Sequence, residues 1–268
     1  MKIVFFIFVI AVLGVLPFEA FAALHKEVVE YKHGDVVLEG YLVHEDTIKE
    51  NRPGILVVHD WMGLGSYAKR RADQLAGLGY VVFAVDMYGK GIRPKNTDEA
   101  AAQAAIYRQD RQLMRARVNA GLDVLMKQPY VDVKRIAAIG YCFGGGTVLE
   151  LARSGADIAG VVSFHGNLDT PHPEDAKNIK TKVLVLHGAD DPFVPQKDVD
   201  AFWEAMKQTD MDWQLVLYSG AVHAFTNIDS GNDPSTGVAY NEKADKRSWR
   251  AMQIFFDEIF GHEATESK

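Results

Sequence analysis

Gly140-Tyr141-Cys142-Phe143-Gly144 stands directly after the apolar run Ile136-Ala-Ala-Ile139 and leads into a helical pattern at Gly144–Ser154. A reactive side chain with glycine two positions to either side is the pattern of a nucleophile elbow, here with cysteine in the reactive place. It constrains the fold strongly, because an elbow needs a buried strand to enter it and a helix to leave it. The turn is so sharp that side chains at Gly140 and Gly144 would collide with their surroundings. The helix N-terminus that follows favours a thiolate and an oxyanion, its dipole contributing roughly 0.3–1 kcal/mol. A lone cysteine is more often buried and inert. Strand, glycines and helix in the right order weigh against that reading here.

The rest of the chain alternates in the same way. β-patterns occur at Val36–Val43, Gly54–His59, Tyr80–Asp86, Arg135–Gly140, Ile158–Phe164, Lys182–His187 and Trp213–Tyr218. Runs such as Ile55-Leu-Val-Val58 and Val183-Leu-Val-Leu186 suit strands buried on both faces of a parallel sheet. Helical patterns lie between them at Tyr67–Leu78, Asp98–Gln128, Gly144–Ser154, Gln196–Gln208 and Glu242–Phe260. The alternation predicts an α/β fold with a mostly parallel central sheet and helices on both faces. Val36–Val43 precedes every helix and is expected to be an antiparallel edge strand. With 48% hydrophobic residues and no linker-like stretch, residues 23–268 read as a single domain.

Residues 1–22 read as an export signal. Met1 and Lys2 precede an apolar run, Ile3–Leu16, of about 14 residues, short of the roughly 20 that span a membrane. Ala20-Phe21-Ala22 supplies the small-x-small cleavage pattern. The expectation is a periplasmic or secreted monomer with no stable membrane insertion after cleavage. A net charge of -7 argues against a non-specific nucleic-acid binder. The single cysteine excludes an internal disulfide, a CxxC pair and a multi-cysteine zinc site.

In open α/β sheets the working site lies at the carboxyl ends of the strands. Asp60 and Trp61, Cys142, Asp190 and Asp191, and His223 each follow a predicted strand. A thiol needs a base, and the base an orienting acid. Among nine histidines, His223 occupies the loop between the last strand and the last helix and is the candidate base. His59 and His187 close buried strands and are expected to bond to backbone, and His165 and His172 to be structural. Either Asp190 or Asp191 could orient the imidazole. Asp191, directly before Pro192, is preferred, with Asp190 capping a turn. Nucleophile, acid and histidine then follow in α/β-hydrolase order. The backbone N–H groups of Trp61 and Phe143 are the expected oxyanion donors. Gly144-Gly-Gly146 lacks the G-K-[ST] of a phosphate loop, and His165, Asp169 and His172 match no metal spacing. No cofactor and no metal is expected. Asp86 reads as a plain strand end, and the charges of Arg108–Arg117 as a solvated helix face.

These residues resemble the dienelactone hydrolase family. The resemblance is carried by Val57-Val-His-Asp-Trp-Met-Gly-Leu64, Asp73-Gln-Leu-Ala-Gly-Leu-Gly-Tyr80, Asp86-Met-Tyr-Gly89, Gly140-Tyr-Cys-Phe-Gly-Gly145, His187-Gly-Ala-Asp-Asp-Pro-Phe-Val-Pro195 and His223-Ala-Phe225. It runs from about Tyr31 to Phe260. It implies hydrolysis of small esters or lactones through a cysteinyl acyl-enzyme, with Cys142, Asp191 and His223 matching the family triad. Well-studied members place a glutamate against the resting thiol, where this chain has Asp60. They grip a substrate carboxylate with two arginines, where this chain has Lys90 and Asn227, with Arg93 nearby as a substitute. Lysine pairs with a carboxylate as a point charge only. A less acidic ester, lactone or thioester is therefore as good a substrate expectation as a dienelactone. Two other readings remain on the same fold: an exported binding protein without activity, and a redox-responsive thiol protein.

Overall fold

The computed structural model describes residues 23–261. The expected signal, residues 1–22, lies outside them. Eight strands form one sheet: β1 Leu24–His33, β2 Val36–Glu45, β3 Arg52–Val58, β4 Val81–Val85, β5 Val131–Tyr141, β6 Gly160–Phe164, β7 Lys182–Gly188 and β8 Trp213–Tyr218. Their order across the sheet is β1-β2-β4-β3-β5-β6-β7-β8. The β1–β2 hairpin joins antiparallel, and β3 to β8 pair in parallel. Helices α1 Ser66–Ala76, α2 Thr97–Gln109, α3 Arg111–Met126, α4 Phe143–Arg153 and α5 Gln196–Met206 lie between strands, and α6 Glu242–Phe260 follows the last of them.

The apolar runs are continuous because both faces of the sheet are covered. Ile55 and Val57 of β3 pack with α1 and α6, through Leu75, Ala72, Met252 and Phe256. Leu56 and Val58 point the other way, into a second core that contains Met114 of α3 and Val148 of α4. A two-residue period thus feeds two cores from one strand.

Three readings need correction. Val36–Val43 is part of β2 but not the edge; β1 is, and its mostly exposed, charge-rich sequence hides the strand from a search for apolar runs. The helix expected over Asp98–Gln128 is two helices, broken at Asp110 (φ -120°, ψ 88°), whose carboxylate caps α3 by accepting the Leu113 N–H at 2.8 Å. The charges of Arg108–Arg117 do not form a solvated face. Arg111 and Arg117 are buried. Arg111 pairs with Asp169 at 2.7 Å, and Arg115 with Glu150 at 2.7 Å and Asp175 at 2.6 Å. They fasten α3 to α4 and to the loop after β6. No helix of the described residues is long and apolar enough to cross a membrane.

Candidate active site

Cys142 sits between β5 and α4 with φ 54°. A non-glycine residue in that region carries of order 1–3 kcal/mol of strain, which the surroundings must hold in place. They do so tightly. A Cβ on Gly140 would overlap the Gly144 carbonyl, and one on Gly144 would overlap the Val58 carbonyl at the end of β3. The Cys142 N–H continues the sheet ladder to the Phe164 carbonyl at 3.0 Å and also reaches His165 Nδ1 at 3.2 Å. Among the described residues, Cys142, His165 and Ala224 are three of the four non-glycine residues with positive φ, and all three line one pocket.

His223 comes from the loop after β8. Its backbone is clamped to the chain ahead of α6, donating to the Gly237 carbonyl at 3.1 Å and accepting from the Ala239 N–H at 3.2 Å. Asp191 comes from the loop after β7, its side chain wholly buried. His223 Nδ1 lies 2.8 Å from Asp191 Oδ2, while Asp191 Oδ1 accepts the Phe193 N–H at 2.9 Å. An ionised carboxylate only accepts, so Nδ1 carries a proton and donates it to Asp191. Burial opposes charge on His223. The Cys142 sulfur and the Asp191 carboxylate outweigh it and raise the imidazole to about 10. The sulfur acts on the ring both as a charge and as a hydrogen-bond partner.

These groups open on a cavity of about 410 Å³ whose walls include Asp60, Trp61, Arg108, Phe193 and Asn227. The structure thus brings Cys142, Asp191 and His223 together, with Asp60, Trp61 and Asn227 in the same pocket. Asp190 instead caps the neighbouring turn, accepting the Gly220 N–H at 2.9 Å. Asp60 Oδ1 accepts the Met62 N–H at 2.8 Å, and burial raises its carboxyl above the usual range. The N–H groups of Trp61 and Phe143 have no acceptor among the described residues. For Phe143 the reason is its place in the first turn of α4.

Lys90 is not part of the pocket. It is exposed and pairs with Glu30 of β1, so the strand missed in the sequence is what draws the lysine away. Arg93 does not replace it, being held by the Leu64 carbonyl at 3.1 Å and by Asp86 at 3.6 Å. Asn227 lines the cavity, but its Oδ1 is engaged by the Asp229 N–H at 3.1 Å. Asp86 accepts the Tyr88 and Gly89 N–H groups at 3.1 Å, in keeping with a strand-end role. His59 bonds to backbone at Met87 as expected, at 3.2 Å. His187 does not: its Nδ1 is buried without a partner among the described residues. Sequence reasoning missed Arg108, which reaches the pocket from the end of α2 and donates to Asn167 Oδ1 at 2.8 Å. Only the helix break two residues later could have hinted at it. It also missed Tyr67 and Phe193 as pocket walls. Among the described residues no group of three His, Cys, Asp or Glu side chains could hold a metal ion.

The family model described as "Dienelactone hydrolase family" matches residues 38–260. "Protein usf" of Aquifex pyrophilus is 30% identical over 206 residues, covering 75% of this chain and 87% of its own. A protein of Aquifex aeolicus (strain VF5), provisionally named carboxymethylenebutenolidase, is 28% identical over 235 residues, covering 86% of this chain and 97% of its own. Two solved structures are similar over 88% of this chain and 99% of theirs. One, called m3DLH, is 39% identical with a TM-score of 0.85. The other, a dienelactone hydrolase-like promiscuous phosphotriesterase, P91, from metagenomic libraries, is 38% identical with a TM-score of 0.83.

Proposed function

This chain belongs to the dienelactone hydrolase family and is a carboxylic-ester hydrolase, and from that premise we propose that it cleaves small esters or lactones through an acyl intermediate on Cys142. His223 Nε2 takes the thiol proton, with Asp191 holding the ring in the required tautomer. The thiolate attacks the acyl carbonyl carbon. The N–H groups of Trp61 and Phe143 donate to the oxyanion, each worth roughly 2.7–4 kcal/mol of transition-state stabilisation when well placed. As the carbon–oxygen bond breaks, the imidazolium returns its proton to the leaving alkoxide. His223 then activates water to hydrolyse the thioester and free Cys142. These side chains complete the cycle without a cofactor. Carboxymethylenebutenolidase activity falls within this reading. With Lys90 outside the pocket and Asn227 uncharged, neutral esters and lactones are equally suitable substrates.

The observation that carries the reading is the 2.8 Å contact of His223 with a wholly buried Asp191, at the same rim as an elbow cysteine. The test is hydrolysis of p-nitrophenyl acetate by the wild-type protein and by Cys142→Ala, with an intact-mass search for acyl-Cys142. Loss of turnover and of the adduct in a folded variant is the expected result. Turnover independent of Cys142 refutes the assignment. The likeness to P91 favours a second substrate class for the same thiol, so a phosphotriester such as paraoxon belongs in the panel. No Cys142-dependent turnover of any member would favour a binding protein, and ready oxidation of Cys142 in the native protein a redox role. We place the enzyme, cleaved after Ala22, in the periplasm or outside the cell as a monomer. Cell fractionation with N-terminal sequencing, and sedimentation, test that placement.

A further inference from the structure

His165 stands beside the proposed nucleophile and base, and the reaction as written gives it no task. It follows β6 as Cys142 follows β5, in the neighbouring strand, and it too has positive φ (38°). Its ring packs edge-on against that of His223, with centroids 5.4 Å apart. A histidine so placed invites reading as a second base, but its hydrogen bonds exclude that. The Cys142 N–H, 3.2 Å from His165 Nδ1, can only donate, so Nδ1 carries a lone pair. Burial, reinforced by the positive charge on His223, keeps the ring neutral, so its one proton is on Nε2. There it donates to Thr226 Oγ1 at 2.7 Å. Both nitrogens are committed, and neither is left for the thiol proton.

The contacts continue beyond Thr226. Thr226 Oγ1 lies 2.5 Å from the Tyr67 hydroxyl, which accepts from Arg71 Nε at 3.4 Å. Arg71 also donates to the Thr226 carbonyl at 2.5 Å and pairs with Asp245 of α6 at 2.5 Å. Arg71 and Tyr67 belong to α1, which is packed against the sheet. A buried polar chain therefore runs from two helices to the main-chain N–H of the elbow cysteine.

We propose that His165 is a positioning residue: its neutral imidazole, anchored through Thr226 to Tyr67 and Arg71, holds the strained Cys142 backbone so that the sulfur faces His223. The inference rests on the proposed use of Cys142 as nucleophile, and its test does not depend on ester turnover alone. Misplacing a reacting atom by 1 Å can cost about a hundredfold in rate, so loss of this anchor acts on the chemical step rather than on binding.

The experiment compares wild type with His165→Leu, which removes both bonds, and His165→Asn, whose amide oxygen can still accept the Cys142 N–H. Two rates are measured on protein confirmed as folded: kcat and KM for p-nitrophenyl acetate, and alkylation of Cys142 by iodoacetamide. Leucine should lower kcat and the alkylation rate at least tenfold with KM within about twofold, and asparagine should restore most of both. If the leucine variant does not fold, Thr226→Val and Thr226→Ser carry the same comparison: valine slows both rates and serine restores them. Equal rates in all variants overturn the proposal. So does a loss confined to melting temperature, or one that asparagine does not rescue. If no ester is turned over but alkylation follows the predicted order, the hydrolase reading fails and the positioning role stands.

Discussion

At the scale of single residues, the site rests on how each titrating group is surrounded. His223 is held cationic by the Cys142 sulfur and Asp191 against the effect of burial. Its imidazole resonances should stay in the protonated form until the pH approaches about 10, and in Cys142→Ala they should titrate at lower pH. A raised folded-state value stabilises the protein fully below about 6.5 and loses that contribution as pH rises through about 10. Nuclear magnetic resonance of ring-labelled histidine checks both. Asp191→Asn should leave the fold intact and lower kcat by about three to four orders of magnitude, because the amide no longer selects the Nδ1–H tautomer. Steady-state kinetics measures it. Cys142, Asp191 and His223 were legible as candidates because each follows a strand in the expected order. Lys90 was misread because its partner, Glu30, lies on a strand with no apolar signature. Arg108 was invisible because a charge on a helix does not say which way the helix turns.

At the scale of elements, the elbow depends on close approach of backbones. Gly144→Ala should destabilise the protein by about 1–3 kcal/mol or more, because the added methyl meets the Val58 carbonyl rather than a side chain that can move. Urea unfolding measures the change. Strands β3, β4, β6 and β7 and the second half of β5 were legible because they are buried on both faces and read as apolar runs, whereas the charged first half of β5 was not. The hairpin strand β1 was not, because most of its side chains face solvent. The break between α2 and α3 was hidden for another reason. Asp110 is an ordinary residue in a charged helical run, and only its side-chain cap on Leu113 shows that one helix ends and another begins.

At the scale of the whole molecule, burial of neutral histidines couples stability to acid. Burial lowers His59 to about 4, His165 well below its ordinary value, and His187 in the same direction. The unfolded chain binds protons first, so stability should fall as pH drops below about 6.5. His59 alone would contribute a loss of about 3 kcal/mol by pH 4. Asp60 and Asp245, with carboxyls raised by burial, oppose the trend nearer pH 4. Melting temperature against pH from 8 to 4 checks the sign. The α/β architecture was readable throughout from strand–helix alternation, whereas the pocket's charge was not, since it depends on which of many arginines reach it. The central claim is that strand ends far apart in sequence meet as one acyl-transfer unit. Its most direct test is quenched-flow mass spectrometry of wild-type protein with p-nitrophenyl acetate. The account predicts an acetyl group on Cys142 that forms with the nitrophenolate burst and decays at the turnover rate. Full turnover with Cys142 unmodified at every time would contradict it.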